Sequence, residues 1–273
     1  MNRDAVSRSQ RRLAPLLAPA IAAGALLARE RKARRTVERL AAAALETLLN
    51  AIEANDPQTG QHVRRVASYA LIIADAAGLH ERQSRAIERV ALFHDIGKIH
   101  EALFDIVHDA AKLSPAERRE IATHPRRGAQ VLAPLDAFYP ELSAGVLSHH
   151  ERWDGSGYPR GLRGLGIPLE ARIVTIADTF DALTHNRRYR RGAGVEAALQ
   201  VIADGRGTQF DPSFVDLVLL PPVSARFARE HVGHGKARGG RRVRARDAGP
   251  DVSFRWRSES LGSRGVPATR NVD

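Results

Sequence analysis

Cysteine is absent from this chain of 273 residues. The absence excludes disulfides and every metal site built on thiolates, and it fits a reducing compartment such as the cytoplasm. The sequence also lacks any alternating apolar and polar pattern longer than four residues, the pattern typical of β-strands, and it has no internal repeat. Hydrophobic residues make up 43% of the chain, which suffices for one sizeable core. We therefore expect an all-α fold with one main domain.

The positive charge lies at the two ends of the chain. The formal net charge is +11, yet residues 41–223 hold 20 basic and 23 acidic side chains. Residues 1–40 hold 10 basic against 3 acidic side chains, and residues 224–273 hold 12 against 5. This division predicts a basic N-terminal extension (1–40), a central domain (41–223) and a basic tail (224–273). The tail has few apolar residues and is predicted to be disordered.

The two basic ends leave several interpretations open. Mobile cations in the tail can bind the phosphates of nucleic acid or of anionic lipid, although a solvated tail without a specific partner is favoured. In the N-terminal extension, the apolar run 13–28 falls short of the roughly 20 residues that span a bilayer. Pro15 and Pro19 also interrupt it. Membrane association through this run therefore ranks below a water-soluble helix.

The central domain carries a set of histidines and aspartates suited to binding metal ions. Imidazole and carboxylate ligands together favour iron, manganese or zinc over magnesium. Asp95 directly follows His94, and its two oxygens allow it to bridge two ions. Two ions that share a bridge are typical of phosphate ester hydrolysis. The set consists of His62, His94, Asp95, His124, His149, His150 and Asp178.

Apolar spacing places these candidate ligands on helices. The pattern predicts an amphipathic helix over 62–77, with His62 in its first turn, and a second helix over 170–185 that carries Asp178. His94 falls near the end of a third helix, where Gly97 is expected to free the backbone so that Lys98 turns toward the site. The segment 114–117 reads as a capping box that starts a helix.

Two motifs resemble the two halves of the HD-GYP signature. The first is His94-Asp95-Ile96-Gly97-Lys98, and the second runs from His149-His150 to Gly157-Tyr158-Pro159. The resemblance covers about residues 45–220. It implies an HD-superfamily helical bundle with a buried metal centre, and it makes the central domain a catalytic domain. The members of this family are metal-dependent phosphodiesterases that linearise cyclic di-GMP, and some are signalling modules with degenerate sites.

The resemblance also implies roles for individual residues. The seven histidines and aspartates correspond to the family's metal ligands, with Asp95 as the bridge between two ions, for which iron or manganese is expected. Lys98 is expected to stabilise negative charge on the phosphate in the transition state. Arg187 and Arg190 match the family's phosphate-binding residues. Tyr158 lies in the tight loop Gly157-Tyr158-Pro159, where it either stacks on a guanine or packs beneath the loop.

Three departures from the family pattern affect these expectations. Gln58 stands where some members carry a glutamate that helps to hold a third ion, so two ions are expected. Arg188 stands where the family usually has proline. The segment 99–112 lacks the family's common Ile-Pro-Asp pattern, and a different loop or substrate preference there stays open.

Three functions are compatible with the sequence. Hydrolysis of cyclic di-GMP is favoured. A second reading is an HD-type hydrolase that acts on another nucleotide or phosphate ester, and the segment 99–112 is its only support. The third is a non-catalytic module that binds a signalling protein partner. The presence of every candidate ligand together with Lys98 argues against the third, because a site without function tends to lose buried charges.

Overall fold

The computed structural model describes residues 4–99, 114–186 and 191–239, with side chains described at 26–98, 114–186 and 191–234. Helices dominate these ranges. An isolated bridge between Arg206 and Phe210 is the one β pairing found in them, so the expected all-α fold is confirmed. The helices are α1 (Asp4–Asn55), α2 (Pro57–Ala76), α3 (Glu81–Phe93), α4 (Pro115–Ile121), α5 (His124–Leu132), α6 (Leu142–Ser148), α7 (Leu169–Thr184), α8 (Val195–Asp204), α9 (Pro212–Leu219) and α10 (Pro221–Gly239).

Local signals in the sequence explain where several helices begin and end. Asp56 caps α2, since its side chain accepts a hydrogen bond from the backbone nitrogen of Gln58 at 2.9 Å. The helix therefore begins earlier than the predicted residue 62, and His62 lies in its second turn. Gly78 follows its end with a φ of 65°, a left-handed conformation that glycine adopts without strain. The predicted capping box of Ser114 and Glu117 begins α4.

Three helices, α2, α3 and α7, form the centre of the molecule. Their apolar faces pack together and are almost fully excluded from solvent, as expected for helices that contact neighbours on several sides. Burial of this kind is the main stabilising contribution to the fold. The side chains that these helices contribute to the core include Val63, Val66, Tyr69, Ile73, Ile87, Val90, Ile173, Ile176 and Phe180.

The helix α10 belongs to the same compact unit as the central helices, although the tail was predicted to begin at residue 224. Residues 224–239 belong to α10 and are helical, so the prediction of disorder from residue 224 is wrong for them. Phe227 is fully buried, and its ring stacks on Tyr69 at 5.2 Å between centroids and meets Phe180 edge-on at 4.8 Å. A large buried aromatic residue thus helps to anchor a segment whose overall composition is basic. The boundary near residue 40 stays a prediction.

Several predicted features fall partly or wholly outside the described residues. Arg187, Arg188 and Arg190 are among them, together with 100–112 of the unusual segment and the tail beyond residue 239. The apolar run 13–28 lies within α1, although side chains before residue 26 are not described. Among the helices in the described part of the chain, none is both long enough and apolar enough to cross a membrane.

The burial of Phe227 leads to a test of the corrected boundary. Phe227→Ala removes a ring enclosed by two aromatic neighbours, so it should lower the free energy of unfolding by about 3–5 kcal/mol. Val232→Ala in the same helix is the matched control, because Val232 is 52% exposed and should change stability by less than about 0.5 kcal/mol. Urea unfolding measures both variants, and equal stabilities would contradict a packed α10.

Candidate metal centre

The seven candidate ligands come from the ends or inner faces of five different helices. His62 lies on α2 and Asp178 on α7, both within their helices. The other five ligands lie at helix termini: His94 and Asp95 directly after α3, His124 as the first residue of α5, and His149 and His150 directly after α6. Helix ends allow side chains from different helices to converge on one point, because the chain turns away there.

The ligands separate into two groups, each of which can hold a metal ion. One consists of His62, His94 and Asp178, and the other of His124, His149 and His150. Within each group, the ligand atoms lie within 4.8 Å of one another. This spacing matches the close approach that a shared cation requires.

Asp95 lies between the two groups and directs one carboxylate oxygen toward each. Its Oδ2 is 3.5 Å from Nε2 of His94 and 3.7 Å from Nε2 of His62. Its Oδ1 is 3.3 Å from Nε2 of His124 and 3.9 Å from Nε2 of His149. The two oxygens of Asp95 therefore face different groups of candidate ligands.

Backbone carbonyls fix the tautomer of three of the histidines. The Nδ1 atoms of His94, His124 and His149 lie 2.8, 2.7 and 2.6 Å from the carbonyl oxygens three residues earlier. A carbonyl only accepts hydrogen bonds, so Nδ1 carries the proton in each ring. In the neutral ring, Nε2 then presents its lone pair to the centre, as a metal-binding histidine requires.

Unpaired atoms in the centre show that the residues fit a bound cation. Nε2 of His94 and Oδ1 of Asp95 are buried and have no hydrogen-bond partner among the described residues. Nε2 of His124 and Nε2 of His149 face each other at 3.2 Å. Their Nδ1 protons are already donated to carbonyls, so two lone pairs oppose each other in the neutral rings. A cation between them removes both the repulsion and the cost of burying unpaired polar atoms.

Electrostatics in the centre favour neutral imidazoles beside ionised carboxylates. Burial lowers the pKa of His149 well below its usual value, and burial followed by repulsion from His124 lowers the pKa of His150 to about 3. Burial opposes ionisation of Asp95, but the Lys98 ammonium outweighs it and holds the pKa of that carboxyl well below its usual range. The neutral imidazole and the ionised carboxylate are the protonation states that bind metal ions.

His62 differs from the other histidines because it stands between two carboxylates. Its Nε2 is 3.3 Å from Asp178 and its Nδ1 is 2.7 Å from Asp181. Burial alone would lower its pKa, but the hydrogen bonds with Asp178 and then Asp181 outweigh burial and raise the pKa to about 9. Positive charge is therefore favoured at this point of the centre.

Lys98 lies at the edge of the centre and reaches the bridging carboxylate. Its Nζ donates to Oδ2 of Asp95 at 2.7 Å, and its side chain is 29% exposed. The residue lies in a 3-10 turn, Ile96–Ile99, that follows the His94-Asp95 pair. Its ammonium is therefore close to the ligands, at the end of a side chain that is partly exposed.

Close packing, rather than backbone freedom, explains Gly97. Gly97 does not have the left-handed backbone conformation that would require glycine, so the reason expected from the sequence is wrong. A Cβ atom at this position would overlap the carbonyl oxygen of His124 and would lie 2.7 Å from the backbone nitrogen of Gly128. Glycine at 97 thus lets α5 approach closely enough to bring His124 to the centre.

The Gly157-Tyr158-Pro159 loop packs directly on the ligand His150. A Cβ atom on Gly157 would lie 2.6 Å from the backbone carbonyl oxygen of His150, so only glycine fits there. The ring of Tyr158 stacks on the ring of His150 with centroids 4.9 Å apart and an angle of 23° between them. The Tyr158-Pro159 peptide bond is cis. One face of Tyr158 is therefore occupied by His150.

Sequence reasoning missed the polar side chains that hold the centre in place. Glu151 is buried and accepts hydrogen bonds from the backbone nitrogens of Arg160 at 2.8 Å and Leu162 at 3.0 Å, which closes the loop after His150. Asp181 on α7 contacts Nδ1 of His62, whereas Nε2 of the same ring faces the candidate ligands Asp178 and Asp95. Its position three residues after Asp178 on one helix was a usable signal, whereas nothing local to Glu151 distinguished it from a surface residue.

Comparison with known proteins agrees with this geometry. The HD domain family model matches residues 46–214, which include all seven candidate ligands. This chain belongs to the HD domain family. The HD domain here carries the HD-GYP motifs identified above, and curated proteins similar to it are named as phosphodiesterases.

Three of these relatives define what the HD domain resembles. The chain is 41% identical over 192 residues to the cyclic di-GMP phosphodiesterase response regulator RpfG of Xanthomonas campestris, covering 70% of this chain and 48% of that protein. It is 37% identical to the 3'3'-cGAMP-specific phosphodiesterase 2 of Vibrio cholerae, covering 63% and 33%. It is 36% identical to a cyclic di-GMP phosphodiesterase of Thermotoga maritima, covering 64% and 48%. The chain thus spans at most about half the length of these relatives.

The packing of Gly97 in the HD domain generates a prediction about metal binding. Gly97→Ala should push the start of α5 away, and the ions bound per chain should fall because His124 no longer reaches its group. Elemental analysis of manganese-loaded protein measures this. Gly233→Ala is the matched control, since a Cβ atom there has open space within 4 Å, and it should retain the full metal content. Equal metal content in both variants would refute the role given to Gly97.

Proposed function

We propose that this chain is a metal-dependent phosphodiesterase that hydrolyses cyclic di-GMP to the linear dinucleotide 5'-pGpG. The observation that carries the proposal is the position of Asp95, whose two oxygens face two separate groups of ligands. Hydrolysis of a phosphate diester is the chemistry that two closely spaced ions perform most readily. The relatives named for hydrolysis of cyclic di-GMP support the choice of substrate.

The proposed centre holds two divalent ions, and iron or manganese suits its ligands. One ion would be held by His62, His94 and Asp178, the other by His124, His149 and His150, with Asp95 between them. Each ion would be bound by imidazole nitrogens together with carboxylate oxygen, and this combination of ligands favours a transition metal over magnesium. When bound, the two ions supply Lewis acidity and lower the pKa of water at the reacting phosphate. Gln58 is an uncharged amide exposed on α2, and an amide ligates weakly, which favours two ions rather than three.

The residues around the proposed ions contribute to the reaction in different ways. In the overall reaction, an oxygen of water forms a bond to phosphorus, the bond from phosphorus to the ribose 3' oxygen breaks, and that oxygen takes up a proton. Lys98 would stabilise the charge that develops on the phosphate, because its ammonium lies beside Asp95 at the end of a partly exposed side chain. Arg187 and Arg190 are proposed to bind a phosphate of the substrate, and Gly157, Tyr158 and Pro159 to form the loop beside it.

A second substrate is favoured by the other relatives. Proteins named as 3'3'-cGAMP-specific phosphodiesterases are 37% and 35% identical to this chain, close to the values for several cyclic di-GMP phosphodiesterases. Both substrates contain two phosphodiester bonds in one ring, so the metal centre described here would serve either. The choice between them depends on contacts to the bases, to which the loop of Tyr158 is proposed to contribute. A cytoplasmic location, which the absence of cysteine favours, accords with either substrate.

The bridging position of Asp95 predicts how metal is lost. Asp95→Ala should remove both ions together, because one carboxylate serves both groups of ligands. His150→Ala is the comparison, since it removes a ligand from a single group and should reduce binding of one ion more than the other. Elemental analysis and calorimetric titration with manganese measure the number of ions bound. If Asp95→Ala still binds one ion with the wild-type affinity, the proposed bridging role is wrong.

The reaction itself gives a further prediction. The metal-loaded chain should convert cyclic di-GMP to 5'-pGpG, with little further cleavage to GMP. The proposed centre holds two ions, so it would lack a third ion to bind the new terminal phosphate. Lys98→Ala should lower turnover on the order of 100-fold while the metal content is unchanged. Chromatography of timed samples measures the products.

Two outcomes would contradict the assignment of the reaction. Rapid accumulation of GMP would argue against a centre with two ions. Absence of cleavage of either cyclic di-GMP or 3'3'-cGAMP by fully loaded protein would instead favour the non-catalytic module with a signalling protein partner. Contacts of the basic ends with nucleic acid or anionic membranes are a separate proposal that this assay leaves unaffected.

A further inference from the structure

A buried network behind His62 connects the proposed metal centre to the helix α10. Asp181 lies at its middle, with a side chain only 2% exposed. Oδ2 of Asp181 accepts hydrogen bonds from Nδ1 of His62 at 2.7 Å and from Nη2 of Arg65 at 2.9 Å. Its Oδ1 accepts from Nε of Arg65 at 2.6 Å and lies 3.0 Å from Nδ1 of His185. Both oxygens of this carboxylate are therefore saturated by donors.

His62 needs such a partner because it lies within a helix. His94, His124 and His149 each donate Nδ1–H to a backbone carbonyl near a helix end, where such carbonyls are free. Inside α2, the carbonyls of the preceding turn accept the hydrogen bonds of the helix itself. A side-chain acceptor must then fix the ring, and Asp181 supplies it. Carboxylates in this position orient metal-binding histidines and raise their basicity.

The outer end of the network lies on α10. The ring of His185 meets the ring of His231 edge-on, with centroids 4.8 Å apart. Phe227, one helical turn before His231, packs against Phe180, the neighbour of Asp181 in the chain. The helix α10 begins at Pro221, after the residues 46–214 that match the HD domain family model.

We propose that Asp181 is the positioning residue for His62, and that α10 supports it through the contact of His231 with His185. The inference rests on the metal centre of the proposed function. Docking of α10 holds His185 against Asp181, and Asp181 in turn holds Nε2 of His62 toward the ligands Asp178 and Asp95. The affinity for the ion bound by His62, His94 and Asp178 therefore depends on a helix that contributes no ligand.

A double-mutant cycle tests the role of Asp181. Manganese titration calorimetry should show that Asp181→Asn lowers the affinity for one of the two ions by about 10–100-fold and leaves the affinity for the other unchanged. His62→Ala should lower the affinity for the same ion. Adding Asp181→Asn to His62→Ala should have no further effect, because Asp181 acts through His62. Additive losses, or equal losses at both ions, would mean that Asp181 serves only the fold and would overturn the proposal.

A second set of variants tests the contribution of α10. His231→Ala should lower the affinity for the same ion several-fold. His231→Phe, which keeps a ring against His185, should restore that affinity. Val232→Ala is the control on the same helix, because Val232 is exposed. If His231→Ala binds manganese as tightly as Val232→Ala does, α10 has no role in the centre.

The design separates this inference from the proposed function and from misfolding. Circular dichroism of each variant establishes that it is folded. If Asp181→Asn does not fold, His185→Gln tests the same network from its more accessible edge, and unchanged manganese affinity in that variant would overturn the inference. Wild-type protein that binds no divalent ion would refute the proposed function itself. Wild-type protein that binds two ions, alongside an unaffected Asp181→Asn, would refute the positioning role alone.

Discussion

The buried carboxylate of Asp95 imposes the constraint that organises this molecule. It is ionised and almost excluded from water, and imidazole nitrogens with lone pairs surround it on both sides. Charge and lone pairs of this density are costly to bury unless positive charge is placed among them. Lys98 supplies one such charge, and the two groups of ligands provide places for two more. The convergence of five helices on one small volume is explained by this requirement.

Orientation of the ligands follows from where each lies on its helix. At helix ends, carbonyls that have no partner within the helix accept the Nδ1 proton of His94, His124 and His149, so the local backbone fixes these rings. Within α2, His62 depends on the distant carboxylate of Asp181. Glycine at 97 then permits the close approach of α5. Rigid backbone, rather than flexible loops, therefore sets most of the geometry of the proposed centre.

The match to the HD domain family and the geometry of the centre are independent observations that agree with each other. The family match rests on the order of motifs along residues 46–214. The geometry rests on distances between side chains, such as the 3.2 Å between Nε2 of His124 and Nε2 of His149. The helix α10 lies outside the match and yet packs on the core through Phe227. The compact fold therefore includes a helix that follows the residues matched by the family model.

The sequence by itself determined the helical class, the seven candidate ligands and several helix starts, because each depends on residue type and on spacing within a few residues. Only the tertiary structure decided which ligands share a group and that the oxygens of Asp95 face different groups. It also revealed the contact between His62 and Asp181, which are separated by 119 positions, and it showed α10 to be helical. Such pairings arise from the packing of whole helices, which local spacing does not encode. The buried Phe227 helped to outweigh the basic composition on which the prediction of disorder rested.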